Sequence, residues 1–169
     1  RFGWKAGVAT IAQQAAEAFA GDIGISSTMM PFPSGDCTEK QPDCLAAPSG
    51  VSPKHDNAEV RDELFDLVTF YSQNLAVPPR RNPSAPEVLK GKELFYKSGC
   101  ADCHTPKFMT GDVPGQPHLS RDLIYPYTDI LLHDMGEGLA DRRPEGAADG
   151  YEWRTPPLWA VGLTETVSG

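Results

Sequence analysis

The sequence predicts a mainly α-helical fold with long irregular loops. Three stretches place apolar residues at helical spacing, which indicates amphipathic helices. Among the 169 residues, 16 Gly and 16 Pro indicate much irregular backbone between them. Hydrophobic residues make up 40% of the chain and aromatic residues 9%, which is low for a core built from side chains alone. We therefore expect something besides side-chain packing to hold the loops together.

The first predicted helix covers residues 5–20 and ends at Gly21. Its apolar positions recur at helical spacing and are Val8, Ile11, Ala12, Ala15, Ala16 and Phe19. The next stretch, residues 22–54, is rich in Gly, Pro and Ser and is predicted to be a long loop.

The second predicted helix is the most strongly patterned. Asp56 or Asn57 is its expected N-cap, and Pro78 and Pro79 stop it. Its predicted buried face consists of Val60, Leu64, Leu67, Val68, Tyr71 and Leu75.

A Pro-rich joint leads into a third helix, which begins near Ser84 with Pro86 in its first turn and closes at Gly99. Its predicted buried face consists of Val88, Leu89, Leu94 and Phe95. Beyond His104 the chain reads as mostly loop, with short helices considered at residues 127–133 and 152–162.

Charge and hydropathy exclude several classes of partner. The net charge of -8 and the pI near 4.9 argue against nucleic acid and anionic membrane surfaces, which select basic patches. No apolar run approaches the roughly 20 residues of a membrane span, and the first six residues do not form a signal peptide. The chain lacks an initiator Met and is expected to be an interior piece of a longer exported precursor.

Residues 100–104 read Cys-Ala-Asp-Cys-His, the attachment pattern of c-type haem. Two residues between Cys100 and Cys103 bring both sulfurs to the two vinyl groups on one edge of a porphyrin, and His104 can then reach the iron. A helix that ends in Gly directly before this motif is how small cytochromes c begin. The sequence therefore predicts a cytochrome c-like helical fold around one covalent haem, with His104 as the proximal iron ligand.

A zinc site and a thiol redox pair are the alternatives for this motif. Zinc prefers four ligands in matched pairs, whereas the remaining cysteines lie in a distant loop at a different spacing. A thiol redox pair belongs at the start of a helix after a strand, and no such context is visible.

Cys37 and Cys44 are predicted to form a disulfide, because c-type haem is attached outside the cytoplasm, where paired thiols oxidise. Two free buried cysteines are the alternative.

The sixth position of the iron has two candidates in the chain, Met135 as a thioether and His133, less favoured, as an imidazole. In a helix, residues two apart face away from each other, so only one of them could bind. Gly136 beside Met135 lets backbone approach the ring, which ranks Met135 first. The alternative reading is that Met135 packs at the haem edge and His133 lies on the surface.

Other polar and aromatic residues have simpler expected roles. Met109 is expected to pack, Met29 and Met30 to anchor a loop, and His55 and His118 to be solvated. An acidic cluster near the distal side is interpreted as a solvated loop, although an acid there could assist O–O cleavage, and three tryptophans are interpreted as packing on the haem. The cluster consists of Asp134, Glu137 and Asp141, and the tryptophans are Trp4, Trp153 and Trp159.

Several stretches together resemble a family of bacterial dihaem c-type cytochromes, known as di-haem oxidoreductases or thiol oxidoreductases and distantly similar to dihaem cytochrome c peroxidases. The resemblance covers the chain from end to end. Its clearest stretches are Arg1-Phe2-Gly3-Trp4-Lys5-Ala6, Gly21-Asp22-Ile23-Gly24-Ile25, residues 99–106, Tyr125-Pro126-Tyr127-Thr128-Asp129, Leu132-His133-Asp134-Met135-Gly136 and Trp153-Arg154-Thr155-Pro156-Pro157-Leu158-Trp159.

The resemblance implies that this chain is the C-terminal haem half of a periplasmic protein whose other half carries a second haem. In the peroxidase relatives this haem relays electrons, and its distal ligand comes from a segment that would lie beyond Gly169, which would leave the iron here five-coordinate or water-bound. Relatives hold calcium near a Leu-Thr-Ala-Pro segment. Here residues 163–166 read Leu-Thr-Glu-Thr, so calcium is not expected.

The expected organisation is a segment of residues 1–82 that packs on a haem domain of residues 83–169, the latter incomplete at its C-terminus. The expected function is electron transfer, with the second haem domain and a small periplasmic electron-transfer protein as partners. A peroxidase-like or thiol-oxidising enzyme with an open distal site is the alternative, and a structural zinc module ranks below it.

Overall fold

The computed structural model describes residues 1–168, in which five α-helices and four short strands alternate with 3₁₀ turns and long loops. The helices are α1 (Ile11–Ile23), α2 (Pro42–Leu45), α3 (Asp62–Gln73), α4 (Pro86–Lys97) and α5 (Thr164–Ser168). The strands are β1 (Phe108–Met109), β2 (Leu123–Ile124), β3 (Leu132–Asp134) and β4 (Glu152–Arg154).

The predicted cytochrome c-like helical fold is wrong. Only 36% of the chain is helical, 10% is strand, and no clear helical bundle of the cytochrome type is present in the part that the structure describes. The physical reason lies after the haem motif, where Tyr127 (φ 53°) and Ile130 (φ 60°) take left-handed backbone conformations that a helix cannot contain. The fold is therefore mixed and largely loop.

The chain divides into two compact units. The first contains Arg1–Gly3 and Gly7–Leu75, and the second contains Trp4–Ala6 and all that follows Leu75. The predicted organisation into residues 1–82 and 83–169 stays a prediction.

In the first unit, helix α1 begins six residues later and ends three residues later than predicted. The Thr10 hydroxyl accepts a hydrogen bond from the Gln13 N–H at 3.0 Å, which caps the helix and fixes its start at Ile11. Gly21 lies inside the helix, and Gly24, with a φ of 66°, ends it.

Helix α3 confirms the existence of the second predicted helix but reverses its buried face. Phe65, only 5% exposed, packs against Phe19 of α1 with ring centroids 6.1 Å apart. The predicted buried face is mostly exposed at Leu64, Leu67, Val68, Tyr71 and Leu75. Neither predicted N-cap is used, because Arg61 occupies that position, although the Asp56 carboxylate accepts a bond from the first N–H of the helix at 3.2 Å.

The Glu59 carboxylate joins two distant points of the loop between α1 and α3, Ser26 and Gly50. It accepts hydrogen bonds from the Ser26 N–H at 2.9 Å, the Ser26 hydroxyl at 3.1 Å and the Gly50 N–H at 2.7 Å. The backbone bonds from Ser26 and Gly50 hold the pKa of Glu59 below its ordinary value. This carboxylate is therefore the polar anchor that the predicted loop needs.

Replacing Glu59 by Gln is expected to lower the free energy of unfolding at pH 7 by about 1–3 kcal/mol, because charged acceptors form the stronger hydrogen bonds. A lowered carboxyl pKa stabilises the fold above the unfolded-state value near 4.5, and this contribution is lost as the pH falls through the folded-state pKa. The difference between wild type and Glu59→Gln should therefore shrink below pH 4.5. Urea titrations at several pH values measure this difference in unfolding free energy, and the exposed Glu63→Gln is the control. A difference that does not depend on pH would contradict the prediction.

Cys37 and Cys44 lie at disulfide distance, with Cα atoms 5.9 Å apart, inside the usual range for a bridge. Alkylation of the denatured, unreduced chain is expected to leave both thiols unlabelled. Replacing both with Ser is expected to cost about 2–3 kcal/mol in the chain-entropy account of short loops. In a haem-free sample Cys100 and Cys103 label as an internal control, and full labelling of Cys37 would refute the bridge.

In the second unit, α4 agrees with the third predicted helix, since Pro86 is its first residue and Gly99 takes a left-handed φ of 77° just after it. Of its predicted buried face, Val88 and Phe95 are half-buried, but Leu89 and Leu94 are exposed. The short helices considered at residues 127–133 and 152–162 are wrong in their main parts. Those segments supply β3 and β4, which pair antiparallel with Leu132 opposite Arg154 and His133 opposite Trp153, and a 3₁₀ turn covers Val161–Leu163.

Candidate haem site

The Cys-Ala-Asp-Cys-His motif forms a tight turn directly after α4. Gly99 turns the backbone with its left-handed φ, and Cys100–Asp102 then form a 3₁₀ turn. The His104 N–H donates to the Cys100 carbonyl at 2.9 Å. Both motif cysteines are exposed free thiols, so the turn leaves them open to reaction.

The imidazole of His104 is held through its Nδ1 atom, which lies 2.8 Å from the Tyr127 carbonyl oxygen. A carbonyl can only accept, so Nδ1 carries the proton and Nε2 keeps its lone pair for a metal. Phe95 of α4 packs edge-on against Tyr127, with ring centroids 5.6 Å apart. Tyr127, whose backbone is left-handed, thus presents the carbonyl that orients the His104 ring.

A cavity of about 550 Å³ opens beside this turn. Cys100, Cys103 and His104 all line it, and Trp4, Trp153 and Pro156 form part of its apolar wall. Its size falls within the roughly 300–1,000 Å³ that ligand pockets occupy. Thr155 on its wall is buried, at 5% exposure. Two thiols, an oriented imidazole and an apolar wall around one cavity fit a covalently held haem.

Met135 and His133 both line this cavity. The expectation that residues two apart face away from each other assumed a helix, whereas in an extended strand positions i and i+2 share a face. Met135, just past the end of β3, is 49% exposed. His133 is half-buried and its Nε2 lies 2.7 Å from a carboxylate oxygen of Asp129.

Asp129 is a site residue that the sequence reasoning missed. Burial raises the pKa of its carboxyl, but the Leu131 N–H, at 2.9 Å, and the nearby His133 and Thr155 outweigh this effect and lower it. One sulfur, oxygen or nitrogen atom from each of Cys103, Asp129 and His133 lies within 4.8 Å of the others. No familiar motif marks this aspartate, so only the fold reveals it.

Lys5 is a second residue that the sequence reasoning missed, and it contacts Trp153, which lines the cavity. Its side chain is only 3% exposed, and its ammonium donates to an Asp141 carboxylate oxygen at 3.0 Å and to the Asp149 carbonyl at 3.1 Å. It also lies 4.0 Å from the centre of the Trp153 ring, a cation–π contact. The neighbouring Trp4 carbonyl accepts from the Arg154 N–H at 2.8 Å. These contacts fix the segment Trp4–Ala6, of which Lys5 and Ala6 had been predicted to be helical.

The predicted acidic cluster does not converge on the cavity. The Asp134 carboxylate accepts from the Gly136 N–H, Glu137 pairs with Arg142 at 2.6 Å, and Asp141 pairs with Lys5. The bond from the Arg143 N–H and then the Lys5 contacts lower the pKa of Asp141.

The remaining residues singled out from the sequence do not line the cavity. The Trp159 indole N–H donates to the Tyr125 carbonyl at 2.8 Å. Met109 and Met29 are exposed and Met30 is half-buried, and Met109 therefore does not pack as expected. His55, expected to be solvated, is half-buried, and its buried Nδ1 has no hydrogen-bond partner among the described residues.

A family model described as "di-haem oxidoreductase, putative peroxidase" matches residues 1–169. The chain belongs to this di-haem oxidoreductase family. The resemblance drawn from the sequence is thereby confirmed, and a haem-related oxidoreductase role follows from the family. No curated protein and no solved structure matches this di-haem oxidoreductase chain. Within the described residues of this family member, no helix has the length and apolar character to cross a membrane.

Proposed function

We propose that this chain is an electron-transfer module of a periplasmic di-haem oxidoreductase, with one haem bonded to Cys100 and Cys103 and ligated by His104. The observation that carries the proposal is the convergence of both thiols and the oriented His104 on one cavity. A bound haem supplies one-electron redox chemistry there. Export is supported by the chemistry of c-type haem and by the disulfide distance of Cys37 and Cys44.

Each residue has a distinct part in this proposal. The thiols hold the group covalently, and the Tyr127 carbonyl fixes the ring plane and protonation of His104. Trp4, Trp153 and Pro156 would supply apolar surface against the haem ring. A second haem domain of the same polypeptide and a small periplasmic electron-transfer protein are the proposed partners.

A peroxidase-like or thiol-oxidising function is the second candidate, favoured by the His133–Asp129 pair on the cavity wall. A histidine held by a carboxylate can donate and accept protons beside a reacting group. An absorption spectrum of the reduced holoprotein separates the two. A low-spin spectrum supports the electron-transfer module, and a high-spin spectrum with peroxide turnover that falls in His133→Gln supports the enzyme.

For the distal iron ligand, Met135 is preferred over His133 among the residues of this chain, because Asp129 already engages the His133 ring. Replacing Met135 by Ala is expected to convert the low-spin spectrum to a high-spin one and to lower the reduction potential, since a thioether ligand raises it. Spectroscopy and a redox titration measure both. His133→Ala is the matched variant, and a low-spin spectrum with unchanged potential in Met135→Ala would point to a ligand from another segment.

A further inference from the structure

Cys103, Asp129 and His133 form a compact group of three potential metal ligands on separate segments of the chain. One ligand atom of each lies within 4.8 Å of the other two, and Asp129 and His133 are half-buried. The other motif cysteine, Cys100, and the proximal His104 are outside this group. The group is therefore a different donor set from the haem attachment motif, and it shares only Cys103 with it.

The donor types indicate which cation would bind. A thiolate, an imidazole and a carboxylate are the ligands of zinc, and three protein ligands with one open position are a common zinc arrangement. Hard cations such as Mg²⁺ and Ca²⁺ prefer sites built from oxygen alone. We propose that the chain, before haem is attached, binds one zinc-class divalent cation through Cys103, Asp129 and His133, and that haem attachment ends this binding.

The three ligands are already held near the required positions. The Asp129 carboxylate accepts from the Leu131 N–H at 2.9 Å, in a segment bounded by the left-handed residues Tyr127 and Ile130. His133 is fixed in β3, where it pairs with Trp153. Zinc bond lengths place ligand atoms about 3.3–3.6 Å apart. His133 Nε2 and the Asp129 carboxylate oxygen, which lie 2.7 Å apart, therefore need to separate slightly, and the atoms that lie as far as 4.8 Å apart need to approach by little more than about 1 Å. A site that needs little rearrangement loses little of its binding free energy to ordering.

That haem attachment ends cation binding rests on the proposed function, in which Cys103 is bonded to haem. When Cys103 adds to a vinyl group, its S–H bond and the C=C π bond are replaced by an S–C and a C–H bond, with no net oxidation. The product is a thioether, a neutral and much weaker ligand for zinc than a thiolate. Asp129 and His133 alone make two ligands, too few for a stable zinc site. Cation binding and haem attachment are thus mutually exclusive at Cys103.

The test is a titration of the full-length haem-free chain, kept reduced, with Co²⁺ as the probe. We expect one equivalent to bind and to give the intense near-ultraviolet band of a cobalt–thiolate bond, which Zn²⁺ then displaces. Cys103→Ser should abolish the band, and Asp129→Asn and His133→Ala should each weaken affinity by about 10-fold or more. The holoprotein with attached haem should show no binding at this site.

The matched controls are Cys100→Ser and His104→Ala, which alter the neighbouring motif but spare the proposed ligands. Both should keep the band and the affinity within about threefold, a difference well under the tenfold that 1.4 kcal/mol represents. Loss of cobalt binding in either control would mean that the attachment motif itself binds the cation, and the proposal would be overturned. Absence of binding to the wild-type chain would overturn it equally. A haem-free chain that binds cobalt but never acquires haem would refute the proposed function while leaving the cation site intact.

Discussion

Replacing Cys100 and Cys103 together by Ala is expected to give a protein that loses all its haem on acid and organic extraction, whereas the wild type stays red. Two thioether bonds are the only covalent links that the motif offers, and both thiols face the same cavity. With His104 alone, the haem is held by one coordinate bond and by packing against a wall that is partly open. Intact mass and visible absorption after extraction measure the result.

The single variants extend this test. Cys100→Ala and Cys103→Ala should each retain one bond and therefore some extraction-resistant colour. The double variant Cys37→Ala and Cys44→Ala is the control, since it removes two cysteines from the first unit, and it should keep its haem fully. The wild type should be matured in a host that attaches haem. If its mass then equals that of the bare polypeptide, the assignment of the motif is wrong.

Local sequence signals predicted helix positions well where one residue decides the outcome. Pro86 and Gly99 bound the third predicted helix within one or two residues because each has a restricted or special backbone preference. The buried face of α3 could not be found in this way. Two stripes of apolar residues run along that helix, and its contact with Phe19, not periodicity, selects the stripe that contains Phe65.

At the site, too, the sequence predicted what depends on neighbouring residues and missed what depends on contacts between distant ones. The attachment motif is local, so its spacing alone predicted Cys100, Cys103 and His104. The contacts around it join residues far apart in the chain: Lys5 reaches Asp141 across 136 positions, and His104 reaches Tyr127 across 23. The partner carbonyl of Tyr127 carries no side-chain signature at all, and Asp129 and Lys5 resemble any other charged residue of the sequence.

Replacing Phe65 by Ala is expected to lower the free energy of unfolding by about 3–5 kcal/mol, the usual cost of removing a large aromatic side chain from a core. Phe65 is 5% exposed and packs on Phe19, beside the fully buried Ala16 of α1. Few other large apolar side chains of the first unit are buried among the described residues, so little can close the cavity.

The matched control lies on the same helix. Phe70 has the same side chain but is 56% exposed, so Phe70→Ala removes a ring that already contacts water and should cost less than about 1 kcal/mol. Urea titration followed by far-ultraviolet circular dichroism measures both variants, because α1 and α3 supply most of the helix in their unit. Equal costs would mean that both stripes of α3 are buried in solution. A larger cost for Phe70→Ala would contradict the prediction, because Phe70 and not Phe65 would then be the buried ring of α3.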